Sequence, residues 1–213
     1  SIIVLAKYTE QAEMTGARMP MKFTRRNDEV GILARSFALM MNKVSGSLGK
    51  MRHMAYHDNL TGLKNRYSLE QDIEKLISAK KPFAFALIDI DDFKIINDMM
   101  GHAEGDRLLI CISRIFESQE SDTLKAYRWG GDEFAFILTG EGRQSYEQDI
   151  EKVLEEVSAR FNSASKWRIS VSAGLCLYPD SASDYAQLLT LADQALILSK
   201  RSGKARYRFY EDI

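Results

Sequence analysis

Cysteine and histidine are scarce in this chain of 213 residues, which carries two of the first and three of the second. Cys111, in a predicted helix, and Cys176, in a predicted strand, lack metal-ligand spacing and lie in apolar runs. They read as reduced core thiols of a cytosolic protein. His53, His57 and His102 are too scattered to form a metal site by themselves. An excess of either charge is missing too. A formal net charge of -1 and a pI near 6.3 give no concentrated basic surface of the kind that duplex nucleic acid demands, although they leave room for local basic pockets. The opening apolar run, Ile2 to Ala6, falls far short of a bilayer span. No internal repeat or low-complexity linker interrupts the sequence. It opens on Ser1 and not on Met, so it reads as a piece of something longer.

What is present is an ordinary mixed composition, 45% hydrophobic and 28% charged, enough for one good core and an accessory segment. The accessory segment comes first. Ile2 to Glu13 sets Ile2, Leu5, Thr9 and Ala12 on one helical side and is predicted to end at Gly16. The connector "ARMPMKFTRRN" alternates Met19, Met21 and Phe23 with polar residues, the pattern of an extended segment that packs those three inward. From Asn27 to about Met54, the positions Val30, Leu33, Phe37, Met40, Val44, Ser47, Met51 and Met54 recur at alternating spacings of three and four, with Asn27 and Asp28 as capping residues. All but Ser47 are apolar. So long and narrow a stripe fits a coiled coil with a partner helix better than a helix lying on its own globular core.

Beyond His57 the elements alternate. Helices are predicted from Tyr67 to Ala79, between Phe93 and Phe116, from about Ser145 to Phe161 and from about Ser183 to Arg201. Strands are predicted from Phe83 to Ile90, in a hairpin around Gly130-Gly131, from Ile169 to Leu177 and from Tyr207 to Tyr210. This is an α/β (α+β) domain with a mostly antiparallel sheet flanked by helices. Its joint with the preceding helix falls near "AYHDNLTGLKNR".

Two stretches break the hydrophobic pattern. "RWGGDEFAF", Arg128 to Phe136, sets two glycines and two acids between strand-like runs. The Gly-Gly step predicts a tight hairpin with both glycines free to take positive φ. A hairpin alone does not explain Asp132 beside Glu133, since unpaired carboxylates repel and are depleted in strands, so a cation is expected there. "FAFALIDIDDFKIINDMMGHAEGDRLL" runs an apolar strand into Asp89, Asp91 and Asp92, followed by Lys94, Asn97, Asp98 and Asp106. Acids clustered at a strand end suit a hard cation such as magnesium, which shares its oxygen ligands with substrate phosphates. Asp91 and Asp92 each read most simply as solvated loop acids. Asp89 shares the strand with core residues and does not.

Taken in order, "DNLTGLKNR", "DIDDFKIINDMMGHAEGD", "RWGGDEFAF" and "VSAGLCLYP" resemble the GGDEF family of diguanylate cyclases over about residues 57 to 213. The resemblance implies a sheet related to the catalytic core of nucleotide cyclases and polymerase palms. It also implies a reaction, the condensation of two GTP molecules into cyclic di-GMP with release of two pyrophosphates. Carried over residue by residue, Asp89, Asp132 and Glu133 form the catalytic set. Asp89 and Asp132 would ligate magnesium, or manganese as the alternative, with the Ile90 backbone carbonyl as a further oxygen. Glu133 would lie nearest the ribose 3′-hydroxyl, either positioning metal or activating that nucleophile. Asp92, Phe93 and Lys94 fall among the substrate-binding positions, and Lys94 and Lys200 match the phosphate contacts. Lys204 stands where the family often has arginine, which keeps the charge and loses a two-pronged phosphate contact. Asn97 and Asp106 match the guanine-reading positions, where Asp106 accepts from N1–H and the exocyclic amine, a donor pair adenine lacks. Without the resemblance, Asp106 reads as a helix N-cap or first-turn acid. One family feature is missing. The segment "ESQESDTLKAYRW" has no arginine before Arg128, and Arg128 adjoins the turn and cannot open the Arg-x-x-Asp product site, so feedback inhibition through that site is not expected.

The first helix, the connector and "NDEVGILARSFALMMNKV" resemble a HAMP domain, a dimeric parallel bundle that relays signals from membrane receptors, with Asp28, Glu29 and Gly31 matching its Asp-Glu-x-Gly signature. This resemblance implies a dimerising relay over residues 1 to 46, a connecting helix over 47 to 56 and the cyclase domain over 57 to 213. It further implies a homodimer through the N-terminal helices, in the cytoplasmic portion of a bacterial inner-membrane protein whose membrane segment and sensor lie upstream of residue 1. No nucleic-acid partner is expected. A competing reading is a catalytically silent GGDEF module that binds nucleotide or a partner. Such modules typically lose an acid or glycine of the hairpin, and here all are intact.

Overall fold

The computed structural model describes residues 21–162 and 169–213. Backbone contacts divide the chain into two compact units, Ser1–Ala55 and Tyr56–Ile213. In the first, a helical turn, Met21–Thr24, precedes α1, Glu29–Tyr56, whose last residue belongs to the second unit. The connector is therefore helical and not extended at Met21–Thr24. The reason lies in Phe23, which packs against Ala34 and Val30. One helical turn followed by the reversal closed by Arg26 N–H on the Phe23 carbonyl brings that ring back onto α1, where an extended strand would carry it past. Asp28 caps α1 by accepting from Gly31 N–H at 3.1 Å and pairs with Arg26. Arg35 donates to the carbonyls of Thr24 and Arg26 at 2.9 and 2.7 Å, which fastens the turn to α1. The predicted helix over Ile2 to Glu13 and Met19 lie outside the described residues. Along α1 the seam residues Leu33, Met40, Val44, Met51 and Met54 are 47% to 66% exposed.

The second unit is built on a six-stranded mixed sheet. Its strands are β1, Lys64–Asn65, β2, Phe83–Ile90, β3, Leu124–Gly130, β4, Glu133–Leu138, β5, Val171–Tyr178, and β6, Tyr207–Phe209. Their order is β1-β3-β4-β2-β5-β6, with the two outer pairings parallel and the three inner ones antiparallel. The helices are α2, Arg66–Ser78, α3, Phe93–Met100, α4, His102–Gln119, α5, Arg143–Asn162, and α6, Tyr185–Arg201. Side chains alternate across a pleated strand, so β2 feeds two cores. Ala84, Ala86, Ile88 and Ile90 join Phe134, Phe136 and the α4 and α5 residues Ile112, Phe116, Ile150 and Val153. Phe83, Phe85 and Leu87 join Tyr127, Ile137 and the α2 and α6 residues Leu69, Ile73, Leu188, Ala192 and Leu196. Gly174 is the close-approach point of this second layer: a Cβ there would collide with the Ala192 carbonyl and the Leu196 amide, so α6 lies directly on β5 only because the "VSAG" stretch ends in glycine.

The hairpin differs from the expected Gly-Gly turn. Arg128 pairs with Phe134 and Gly130 with Glu133, so Trp129 is an extra residue on β3 and the two-residue loop is Gly131-Asp132. Only Gly131 takes positive φ, 52°. The bulge is held from outside the hairpin: Trp129 Nε1 donates to the Tyr185 hydroxyl at 3.2 Å, and the Arg66 guanidinium lies 4.6 Å from the indole centroid. Shifting the turn by one residue puts Asp132 at its apex and leaves Glu133 as the first residue of β4.

Candidate active site

Asp89 is the seventh residue of β2, and the register pairs it with Glu133 on β4 and Ser172 on β5. Strand alternation turns Asp89 and Glu133 to the α6 side of the sheet. There Lys200 on α6 meets Asp89, Nζ to Oδ1 at 2.6 Å. Asp132 joins them through the turn, with its carbonyl accepting from Ile90 N–H at 3.4 Å. Asp89 is 8% exposed, and burial raises its pKa against the opposing pull of Lys200, while Asp132 and Asp91 push it further up. Burial likewise raises Glu133, with Asp89, Asp132 and Asp193 adding repulsion and Lys200 relieving part of it. Asp89 and Glu133 thus share one lysine while Asp132 and Asp193 add negative charge beside them, an arrangement short of positive charge.

Among the described residues, no three acids, histidines or cysteines are gathered closely enough to cage a metal by themselves. The hard-oxygen donor set at the end of β2, crowded and under-neutralised, nevertheless fits a cation that takes the rest of its coordination from phosphate and water. Ile90 is 1% exposed and can offer only its backbone.

Asp91 is not the solvated loop acid that its neighbours suggest. It is 6% exposed and accepts from Ser170 Oγ at 2.6 Å, Ser172 Oγ at 2.7 Å and Ala205 N–H at 3.2 Å. It is a structural tie between the end of β2, the start of β5 and the loop before β6. Asp91→Ala strips three donors of one acceptor, so it is expected to lower stability by roughly 2–4 kcal/mol in urea unfolding. A loss under about 0.5 kcal/mol would show that water replaces the carboxylate without cost.

The substrate-binding positions fall in two further groups. Asp92, exposed and at φ 59°, precedes α3, which Phe93 and Lys94 open. Lys204 reaches across to it, Nζ to Oδ1 at 2.7 Å, so this lysine is ion-paired and not free. The pairing raises the Lys204 pKa. Lys94 is exposed. Asn97 is on α3, with its Oδ1 buried and unpartnered among the described residues. A Cβ at Gly105 would collide with that oxygen. Asp106 follows on α4, which begins at His102 after Gly101. It therefore lies beyond the first turn and cannot be the N-cap or first-turn acid that its sequence position suggests; Glu104 holds the first-turn place.

A scan of family models matches residues 55–206 to the diguanylate cyclase GGDEF domain. The chain belongs to the GGDEF family. This GGDEF chain is 35% identical over 165 residues to the bifunctional diguanylate cyclase/cyclic di-GMP phosphodiesterase MucR of Pseudomonas aeruginosa, a match spanning 74% of this chain and 24% of MucR. It is 30% identical over 214 residues to the diguanylate cyclase TpbB of the same species, spanning 91% of this chain and 49% of TpbB. The chain thus spans less than half the length of these relatives. Among solved structures, it resembles the coiled coil and GGDEF domain of DgcB from Caulobacter crescentus in complex with c-di-GMP, at TM-score 0.71 and 29% identity over 83% of this chain and 96% of that one. It also resembles diguanylate cyclase SiaD in complex with its activator SiaC from Pseudomonas aeruginosa, at TM-score 0.67 and 26% identity over 97% of this chain and 78% of that one. Within the GGDEF domain, sequence reasoning passed over Asp193, which acts on Glu133 from α6, and the burial of Arg128. Spacing offers a signal only for Asp193, which stands seven residues before Lys200 on one helix face.

Proposed function

We propose that this GGDEF domain condenses two GTP molecules into cyclic di-GMP and releases two pyrophosphates. The observation that carries the reading is the Asp89–Glu133 cross-strand pair, two carboxylates that share Lys200 and are crowded by Asp132. Asp89, Asp132, Glu133 and the Ile90 carbonyl would hold magnesium or manganese, which when bound neutralises phosphate charge and eases ionisation of a hydroxyl. Glu133, whose proton affinity is raised by burial and by its acidic neighbours, takes the proton of a ribose 3′-hydroxyl. That oxygen forms a bond to the α-phosphorus of the second GTP as the bond to pyrophosphate breaks, and pyrophosphate leaves with the electron pair. Lys200 and Lys204, now spent on Asp89 and Asp92, turn to the triphosphate when it arrives. Lys94 and the backbone N–H groups that open α3 add donors of the same kind. Asn97 and Asp106 read guanine.

One domain holds one GTP while the product needs two phosphodiester bonds, so two copies face each other with each 3′-hydroxyl aimed at the partner's α-phosphate. The exposed α1 seam supplies the tether, as a parallel pair of helices. A HAMP-like relay over residues 1–46 of a membrane receptor would set the geometry of that pair, a reading that rests on the Asp28-Glu29-x-Gly31 signature. The deciding experiment incubates the purified chain with GTP and magnesium and separates the nucleotides by chromatography. Cyclic di-GMP and pyrophosphate are expected. Bound but unconverted GTP would point to a silent module.

A further inference from the structure

We propose that Arg128 is a base-specificity residue, donating to the O6 and N7 acceptors of guanine and completing the selection that Asp106 begins. The inference rests on the GTP reading above and adds a residue to it. Arg128 pairs with Phe134 across β3 and β4, so its side chain lies on the α4 side of the sheet, where the guanidinium stands 4.7 Å from the Phe134 ring centroid. It is 7% exposed. An arginine stays ionised even when buried, and a buried charge is retained only against partners. Its partners fall short. The carboxylates of Asp58, Asp132 and Asp106 act on it through space, yet Nη1 is buried with no hydrogen-bond acceptor among the described residues. Asp58 is already committed to Thr61, accepting from its N–H at 2.9 Å and its hydroxyl at 2.6 Å.

A second unpartnered atom flanks the same helix. Asn97 Oδ1, an acceptor, is buried in the space that Gly105 leaves at the start of α4, and Asp106 is the next residue. The orphan acceptor thus lies beside Gly105, and the Asp106 carboxylate next to it is one of the charges that act on the orphan donor. Guanine carries both kinds of complement. Its N1–H and amine are donors that an acid satisfies, and its O6 and N7 are acceptors that an acid would repel. The pairing of arginine with O6 and N7 is the commonest specific contact to guanine in nucleic acids. Adenine would turn its 6-amino donor toward the guanidinium and leave Nη1 unpaired, which a buried site penalises.

The test measures equilibrium binding of GTP, 7-deaza-GTP and inosine triphosphate to the full chain, with calcium in place of magnesium to hold turnover down. 7-Deaza-GTP lacks the N7 acceptor, and inosine triphosphate lacks the 2-amino donor. Wild type is expected to bind 7-deaza-GTP about tenfold more weakly than GTP. In Arg128→Met that ratio should fall to near one, while the penalty for inosine triphosphate, exerted through Asp106, should persist. Each ratio is taken within one variant, so a partly unfolded sample does not distort it. If Arg128→Met does not fold, Arg128→Lys carries the comparison with an intermediate ratio expected. The inference is overturned if wild type does not distinguish 7-deaza-GTP, or if the ratio is unchanged in the variant. GTP failing to bind wild type would instead remove the parent reading, and this one with it.

Discussion

Glu133→Gln is expected to reduce cyclic di-GMP formation by about 10²–10⁴-fold, the range for removing a positioned general base, while GTP still binds. The change is nearly isosteric and retains an acceptor, so it tests the charge and basicity of Glu133 rather than its bulk. Its effect on stability has the opposite sign. Burial and acidic neighbours raise the folded-state pKa of Glu133, so ionising it costs stability. That cost is absent below the unfolded-state pKa of about 4.3, grows as pH rises toward the raised folded value, and stays constant above it. Metal-free Glu133→Gln should therefore melt at or above the wild-type temperature at pH 7, with the advantage gone near pH 4. Chromatography of the products and thermal melts at the two pH values check both halves. Undiminished turnover would remove Glu133 from the mechanism, and a sharp drop in melting temperature would make its role structural.

Phe37→Glu combined with Val44→Glu is expected to convert the chain to a monomer at low micromolar concentration and to lower specific activity at least tenfold. Along one chain the seam residues Leu33, Met40, Val44, Met51 and Met54 are exposed and Phe37 is half-buried, and a second copy buries them by matching apolar positions at heptad spacing. Charges at two of those positions would face their own copies across the pair. The loss of activity follows from effective concentration. A helical tether holds the second GGDEF domain at millimolar local concentration, whereas free monomers at micromolar concentration seldom meet in the orientation that two phosphodiester bonds require. Sedimentation or light scattering read beside initial rates provides the check. A double mutant that stays dimeric, or one that becomes monomeric with unchanged activity, refutes the tether.

The chain shows which of these features are legible in one dimension. Local periodicity identified the strand Phe83–Ile90 to the residue, the long helix to within two residues, and the α/β class with its largely antiparallel sheet, because side-chain alternation and helical spacing are imposed by backbone geometry over a few residues. The four motifs identified the family for a related reason: reactive acids interrupt apolar runs at spacings that burial alone does not produce. Closure of the chain decided the rest. Asp91 and Asp89 stand two apart in the same acidic run, yet Asp91 became a structural tie because its donors arrive from 79, 81 and 114 residues away. The turn moved from Gly130-Gly131 to Gly131-Asp132 because Trp129 is pinned from 56 residues away by Tyr185. Arg128 looked like the residue before a turn, yet it is buried with its guanidinium against the Phe134 ring. A buried polar group must find its partner, and the sequence near that group does not say which distant segment will bring it.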